Sequence, residues 1–293
     1  MELVPHGAAE ARRPPVRTWQ SVRPEDAGKL SDSRLQLHYA AMFGAAAGIS
    51  FLDPRSDDSH ASLEWIGSLG GLFSHLIPAR QSFRIGARAS NLTLLIVGED
   101  NQSIAEYKLH GRTITDATDW IRSQIKSLGA DPARYTLHRD FEIPRHDVAI
   151  GESFDASATA HFKELSTWFG NAASVLGALV RRTRSAREIR CWPQHFDLAT
   201  LVKLPSNRSI GIGLEPGDGY YDEPYFYVNM TPQPPASRVQ SRPLWGNGTW
   251  HTTEWVGAVL PGSRLGAASA QERQVREFLD SAVSACRSVM TQN

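Results

Sequence analysis

The sequence predicts an α+β fold, mostly antiparallel sheet with about four main helices. Long stretches repeat apolar residues every three or four positions, the period of one helix face. Short alternating or continuous apolar runs lie between them, bounded by Gly, Pro, Asn and Asp, as strands are. The order is helix, strands, helix, then helix, strands, helix. The 293 residues are 41% hydrophobic and 21% charged, a globular composition long enough for one large core or two intimate halves. We therefore expect an arm over 1–29 and a single α+β domain over 30–293, with halves at 30–150 and 151–293.

Residues 1–29 are rich in Pro, Arg, Glu and Ala, lack periodicity and read as a flexible arm. Ser33-Arg34-Leu35-Gln36 has the pattern of a capping box. Leu35, Tyr39, Met42, Ala46 and Ile49 follow at helical spacing, so a helix is expected to about Gly48. Asp53–Asp58 is a polar loop, and residues 60–78 read as strands separated by turns. Leu92–Val97 is a continuous apolar run that pairs as a hairpin with the alternating Ile104–His110. Thr113–Asp116 opens a second helix, with Trp120, Ile121 and Ile125 on one face and Gly129 as its stop. Tyr135–Leu137 reads as a short strand.

The longest helical pattern is 157–183, with Phe162, Leu165, Phe169, Ala172, Leu176 and Leu179 on one stripe. The arginines at its end complement the helix dipole. Strands are expected at Leu198–Leu204, Ser209–Leu214, Tyr225–Val228 and near Trp255–Leu260, with an acidic turn over Glu215–Glu223. Pro232–Pro235 cannot continue a central strand, because proline lacks the donor. Trp245–His251 is a Gly/Trp loop. Ser269-Ala270-Gln271-Glu272 is a second capping box leading into a helix with Val275, Leu279, Ala282, Cys286 and Val289 on one face. His60–Leu63 and His195–Leu198 hold corresponding places in the two halves. A duplicated unit would bring both histidine segments to one cleft; equally, any α+β chain can be cut this way.

Formal net charge is zero. Nucleic-acid binders and membrane-surface proteins usually carry a basic excess, so neither partner is expected. No apolar run reaches the roughly 18 to 20 residues that a membrane span needs. The two cysteines, Cys191 and Cys286, are too few for a disulfide scaffold and lack zinc-ribbon spacing. With no signal-peptide pattern at the start, a cytoplasmic protein is expected.

The densest chemistry lies in Cys191-Trp192-Pro193-Gln194-His195-Phe196-Asp197 and, about twenty residues on, Asp218–Tyr227. On a strand, His195 and Asp197 share a face. They would then form an acid–base couple or bind a metal; in a turn, Asp197 would accept backbone N–H bonds and His195 would pack on Trp192. Asp218, Asp222 and Glu223 could take a divalent cation beside a histidine, although no HExxH, CxxC or calcium-loop spacing is present. Asp197 with Glu223 is the alternative two-carboxylate pair. Tyr225 and Tyr227 share one strand face, and with Trp192, Trp245 and Trp250 they would wall a pocket; sheet packing is the plainer reading. His38, on the first helix, and His60 are further candidates to face the ligand. No phosphate loop or GxSxG elbow is present.

These motifs resemble a bacterial family known only as a domain of unknown function. The resemblance rests on Leu37-His38-Tyr39, His60, Trp192, Phe196-Asp197-Leu198-Ala199, Glu223-Pro224-Tyr225-Phe226-Tyr227 and Pro232-Gln233-Pro234, and it covers about residues 33–290. Members carry several histidines before the Phe-Asp core, where this chain keeps His195. The resemblance implies a site at these motifs and no particular reaction.

The expected function is an enzyme acting on a small molecule by acid–base or metal-assisted chemistry. His195, Asp197 and Glu223 would be catalytic, and His38, His60, Trp192, Asp218, Tyr225 and Tyr227 would line the cleft. The alternative is a non-catalytic binding or assembly protein using the same cleft.

Overall fold

The computed structural model describes residues 19–291. The fold is α+β: four α-helices, α1 (Ser31–Phe51), α2 (Ile114–Ser127), α3 (Thr159–Arg182) and α4 (Gln271–Thr291), accompany two antiparallel sheets. The first sheet orders β1 (Glu64–Ile66), β2 (Gly71–Phe73), β3 (Arg84–Arg88), β4 (Thr93–Val97) and β5 (Ser103–Lys108) as a meander. The second holds β6 (Arg190–Trp192), β7 (Asp197–Leu204), β8 (Arg208–Glu215), β9 (Tyr225–Thr231), β10 (Thr249–His251) and β11 (Gly257–Pro261), in the order β10-β11-β9-β8-β7-β6. The sheets meet at one bridge, where Leu63 and Cys191 exchange two backbone hydrogen bonds of 2.8 Å. Among the described residues, no helix is long and apolar enough to cross a membrane.

One apolar core runs through both halves. On β7, β8 and β9 the even-numbered Leu198, Val202, Ile210, Ile212, Leu214, Phe226, Val228 and Met230 are all buried in it, against α3 and α4. The period-2 alternation of strands puts the odd-numbered residues on the opposite face.

Several local expectations are corrected. α1 begins at Ser31, directly after a 3-10 turn at Pro24–Lys29, so Ser33 is its third residue and not its cap. The helix is buried on nearly all sides from Ser33 to Gly48, because it runs between the first sheet and α3. Its small residues allow this: a Cβ on Gly48 would stand 2.2 Å from the His60 carbonyl oxygen. Tyr135–Leu137 joins no strand; Tyr135 is buried and its hydroxyl donates to the Phe43 carbonyl at 2.9 Å. Residues 19–29 are not a free arm. Gln20 exchanges backbone bonds with the Asn171 amide, and Val22 does so with the Gln271 amide. Residues 1–18 of the expected arm lie outside the described residues.

Gly48→Ala should lower stability by about 1–3 kcal/mol, since neither the helix nor the His60 carbonyl has room to give way. Thermal unfolding of the variant, with Ala47→Gly as a comparison that adds no atoms, measures this.

Candidate functional site

The site begins with a turn. β6 ends at Trp192 and β7 starts at Asp197, and the N–H groups of His195 and Phe196 both donate to the Trp192 carbonyl between them. Phe196 sits at φ +65°, a left-handed conformation that a non-glycine residue adopts only when its surroundings insist. Its ring supplies the reason: it is buried, stacks on His38 at 4.4 Å and meets Phe169 edge-on at 5.5 Å. Nε2 of His38 donates to the Pro193 carbonyl at 2.7 Å; a carbonyl can only accept, which sets the tautomer. Burial lowers the His38 pKa to about 4, with Arg34 and Arg139 acting in the same sense against the Pro193 bond. His38 is a neutral pin under the turn and does not face a cavity.

The turn breaks the strand between His195 and Asp197, so of the two expected arrangements, a shared strand face and a turn, the turn is the one that forms. His195 is exposed at a rim, while Asp197 points into the sheet's outer face and is only 6% exposed. The register pairs Leu198 with Leu214; one step further sets Asp197 opposite Glu215, the last residue of β8. Residues directly opposite in an antiparallel pair hold their Cβ atoms roughly 4.5–5.5 Å apart. Glu215 is also 6% exposed. Two carboxyl groups therefore lie side by side in a largely dry place.

Their hydrogen bonding is incomplete. Asp197 Oδ2 accepts the Tyr227 hydroxyl at 2.5 Å. Among the described residues, Asp197 Oδ1 and Glu215 Oε1 are buried without a partner. Burial raises the Asp197 pKa, opposed by Tyr227, His195 and nearby backbone N–H groups. Burial raises Glu215 well above the usual range, reinforced by the charges of Asp197 and Asp218 and opposed by Arg34. Like charges this close cannot both ionise cheaply, so the pair retains a proton beyond the ordinary carboxyl range.

An open cavity of about 290 Å³ covers the pair. His195, Asp197, Glu215, Asp218, Tyr225 and Tyr227 line it, with Tyr220, Asn229, Gln233 and Trp255 completing the wall. Asp218 anchors the β8–β9 loop, accepting from the N–H groups of Tyr220 and Tyr221 at 2.8 and 2.9 Å and from the Tyr225 hydroxyl at 2.7 Å. Tyr227 reaches Asp197 by lying over Gly213, where a Cβ would be 2.8 Å from its ring. Burial raises both tyrosine pKa values, so the phenols stay hydrogen-bond donors. A second cavity of about 680 Å³ adjoins the first and shares Asp197, Tyr227 and Asn229 with it; Trp192, Arg187 and Arg190 stand along it.

Five expected residues thus meet in one place: His195, Asp197, Asp218, Tyr225 and Tyr227. Trp192 stands in the adjoining cavity. Glu223 does not join them, because its carboxylate caps the turn after β11, accepting from the N–H and hydroxyl of Ser263 at 2.6 and 2.9 Å. His60 closes its own loop through the Arg55 N–H. Trp245 is exposed and Trp250 donates to the Arg242 carbonyl, so neither walls the cavity. Glu215, Tyr220, Asn229, Gln233 and Trp255 line the cavity without having been expected in the site. The alternation Ile210-Gly211-Ile212-Gly213-Leu214-Glu215 was the available signal, since it puts Glu215 on the strand's polar face and not in the turn. Among the described residues, no three His, Cys, Asp or Glu side chains converge as metal ligands. The chain matches no family model, no curated protein and no solved structure.

Two opposite pH dependences follow. The folded-state pKa of His38 is depressed from 6.5 to about 4. The unfolded chain therefore takes up the proton first as pH falls, and roughly 3 kcal/mol of stability present above pH 6.5 is lost towards pH 4. Glu215 is shifted the other way. Its contribution is full below the unfolded value of 4.5 and is lost as pH rises through the folded one. Urea unfolding across pH should show His38→Gln flattening the acid limb and Glu215→Gln removing the decline on the alkaline side.

Proposed function

We propose that the protein is a cytoplasmic enzyme that performs acid–base chemistry on a small molecule bound over the outer face of the six-stranded sheet. The observation that carries this reading is the pair Asp197 and Glu215, opposite one another, each lining an open cavity and each with one buried oxygen that has no partner among the described residues. A structural pair would have those oxygens satisfied, and perturbed carboxyls in a cleft are typical of working acids and bases. The ionised member would accept a proton from the substrate and the protonated member would donate one. Tyr227 holds Asp197 in place and favours its charged form, which makes Asp197 the base and Glu215 the acid. His195, exposed beside Asp197, is placed to pass protons to solvent.

Asp197→Asn and Glu215→Gln should each keep the wild-type fold and lower turnover by about 10²–10⁴-fold, read by mass spectrometry of a metabolite mixture incubated with each variant. Carboxyl ¹³C shifts should show the pair titrating in two steps, one well above the ordinary range. Two ordinary titrations, or unchanged turnover in both variants, would sink the reading.

A further inference from the structure

The cavity also states what charge it is built to receive. Its titratable lining is Asp197 from β7, Glu215 from β8, Asp218 and Tyr220 from the following loop and Tyr225 and Tyr227 from β9, with His195 as its one basic side chain. Arg34, the buried cation whose field reaches Glu215, is already engaged: it donates to the Gly217 carbonyl, to Ser31 Oγ at 3.3 Å and to Asp222 at 3.5 Å. The carboxyl pair is thus left without a cation of its own; both residues are only 6% exposed, both line the cavity, and each has one buried oxygen without a partner among the described residues.

The walls agree with the floor. Tyr220, Tyr225, Tyr227 and Trp255 stand around the cavity. Tyr220 and Trp255 meet edge-on at 6.1 Å, and Tyr225 and Tyr227 are tilted at 6.4 Å. Ring faces carry negative quadrupole density and attract organic cations. An anion here would face three carboxyl groups. A neutral polyol could bond to the free oxygens but would leave their mutual repulsion in place. One further group narrows the class: Trp255 Nε1–H is buried without a partner among the described residues, a donor waiting for an acceptor.

We propose that the site takes a small organic ammonium compound that also carries a hydroxyl or comparable acceptor. The ammonium group lies over the Asp197–Glu215 pair, and the acceptor lies beside the Trp255 indole. The inference rests on the acid–base reading of the same pair and names its substrate class. About 290 Å³ is at the lower end of small-ligand sites, which suits an amino alcohol or an amino sugar.

The test uses ethanolamine, ethylamine, ethylene glycol and glycolate as probes, titrated into the full chain by calorimetry and NMR. Ethanolamine should bind at least about tenfold more tightly than ethylene glycol or glycolate, and more tightly than ethylamine. Glu215→Gln should weaken ethanolamine about tenfold or more, with Asp197→Asn as the second variant should the first not fold. Trp255→Phe should keep the ammonium preference and erase the advantage of ethanolamine over ethylamine. Equal or tighter binding of the glycol or glycolate, unchanged ethanolamine affinity in both carboxyl variants, or no ethanolamine binding overturns the proposal. Ammonium binding together with two ordinary carboxyl titrations would instead remove the acid–base reading and leave the ligand class standing. A raised titration without ammonium binding would do the reverse.

Discussion

The bond from His38 to the Pro193 carbonyl is the constraint on which the site depends. It joins the most buried helix, α1, to the turn between β6 and β7. Without it the turn would have only its two bonds to the Trp192 carbonyl. The left-handed Phe196 costs of order 1–3 kcal/mol, which a fully buried aromatic ring stacked between His38 and Phe169 can offset. That residue decides the phase of β7. A one-residue slip would turn every side chain of the strand over, sending Asp197 into the core and Leu198 into the cavity. The geometry of the carboxyl pair is thus set by a neutral histidine lying below it.

Above the turn, the balance of electrostatic effects determines the state of the carboxyl pair. Tyr227 and His195 pull the Asp197 pKa down, and Arg34 pulls Glu215 down, yet burial outweighs them in both. An isolated carboxylate is costly to bury, and the usual outcome is that the group keeps its proton. Two neighbouring groups in this position share the difference. One can stay charged with Tyr227 as its donor while the other stays neutral. A structure optimised only for stability would place apolar residues here, and a local breach of that rule is expected where a protein works.

The architecture was largely legible in the sequence, because long periodic stretches dominate it. The stripe from Phe162 to Leu179 and the helix expected to open at Thr113–Asp116 both formed at the expected places, and the α2 cap has two reciprocal hydrogen bonds. The capping pattern at Ser33 misled because a 3-10 turn leads directly into α1, which starts two residues before it. The site was legible in part. Asp197, Asp218, Tyr225 and Tyr227 stand on elements whose ends were readable. For His195 and Asp197 the sequence left a shared strand face and a turn both open. A positive φ at Phe196 depends on a stacking partner 158 residues away in sequence, and no local pattern reports that. Glu223 seemed the second carboxylate because it lay in the most polar turn, whereas polar turns are also where carboxylates cap backbone, as it does at Ser263.

The six-stranded sheet separates two demands by parity. Its even-numbered side chains on β7, β8 and β9 are the core against α3 and α4, and changes there act on stability through cavities and packing. Its odd-numbered positions hold Asp197, Glu215, Tyr225 and Tyr227 over small residues, Ala199 and Gly213. Small residues there are not a weakness of the strand. A side chain at Gly213 would stand where the Tyr227 ring must lie to reach Asp197, so the empty position is what lets the tyrosine bond to the carboxylate. The same alternation that builds the core thus clears the floor of the cavity, and the rigidity of the first holds the second in register.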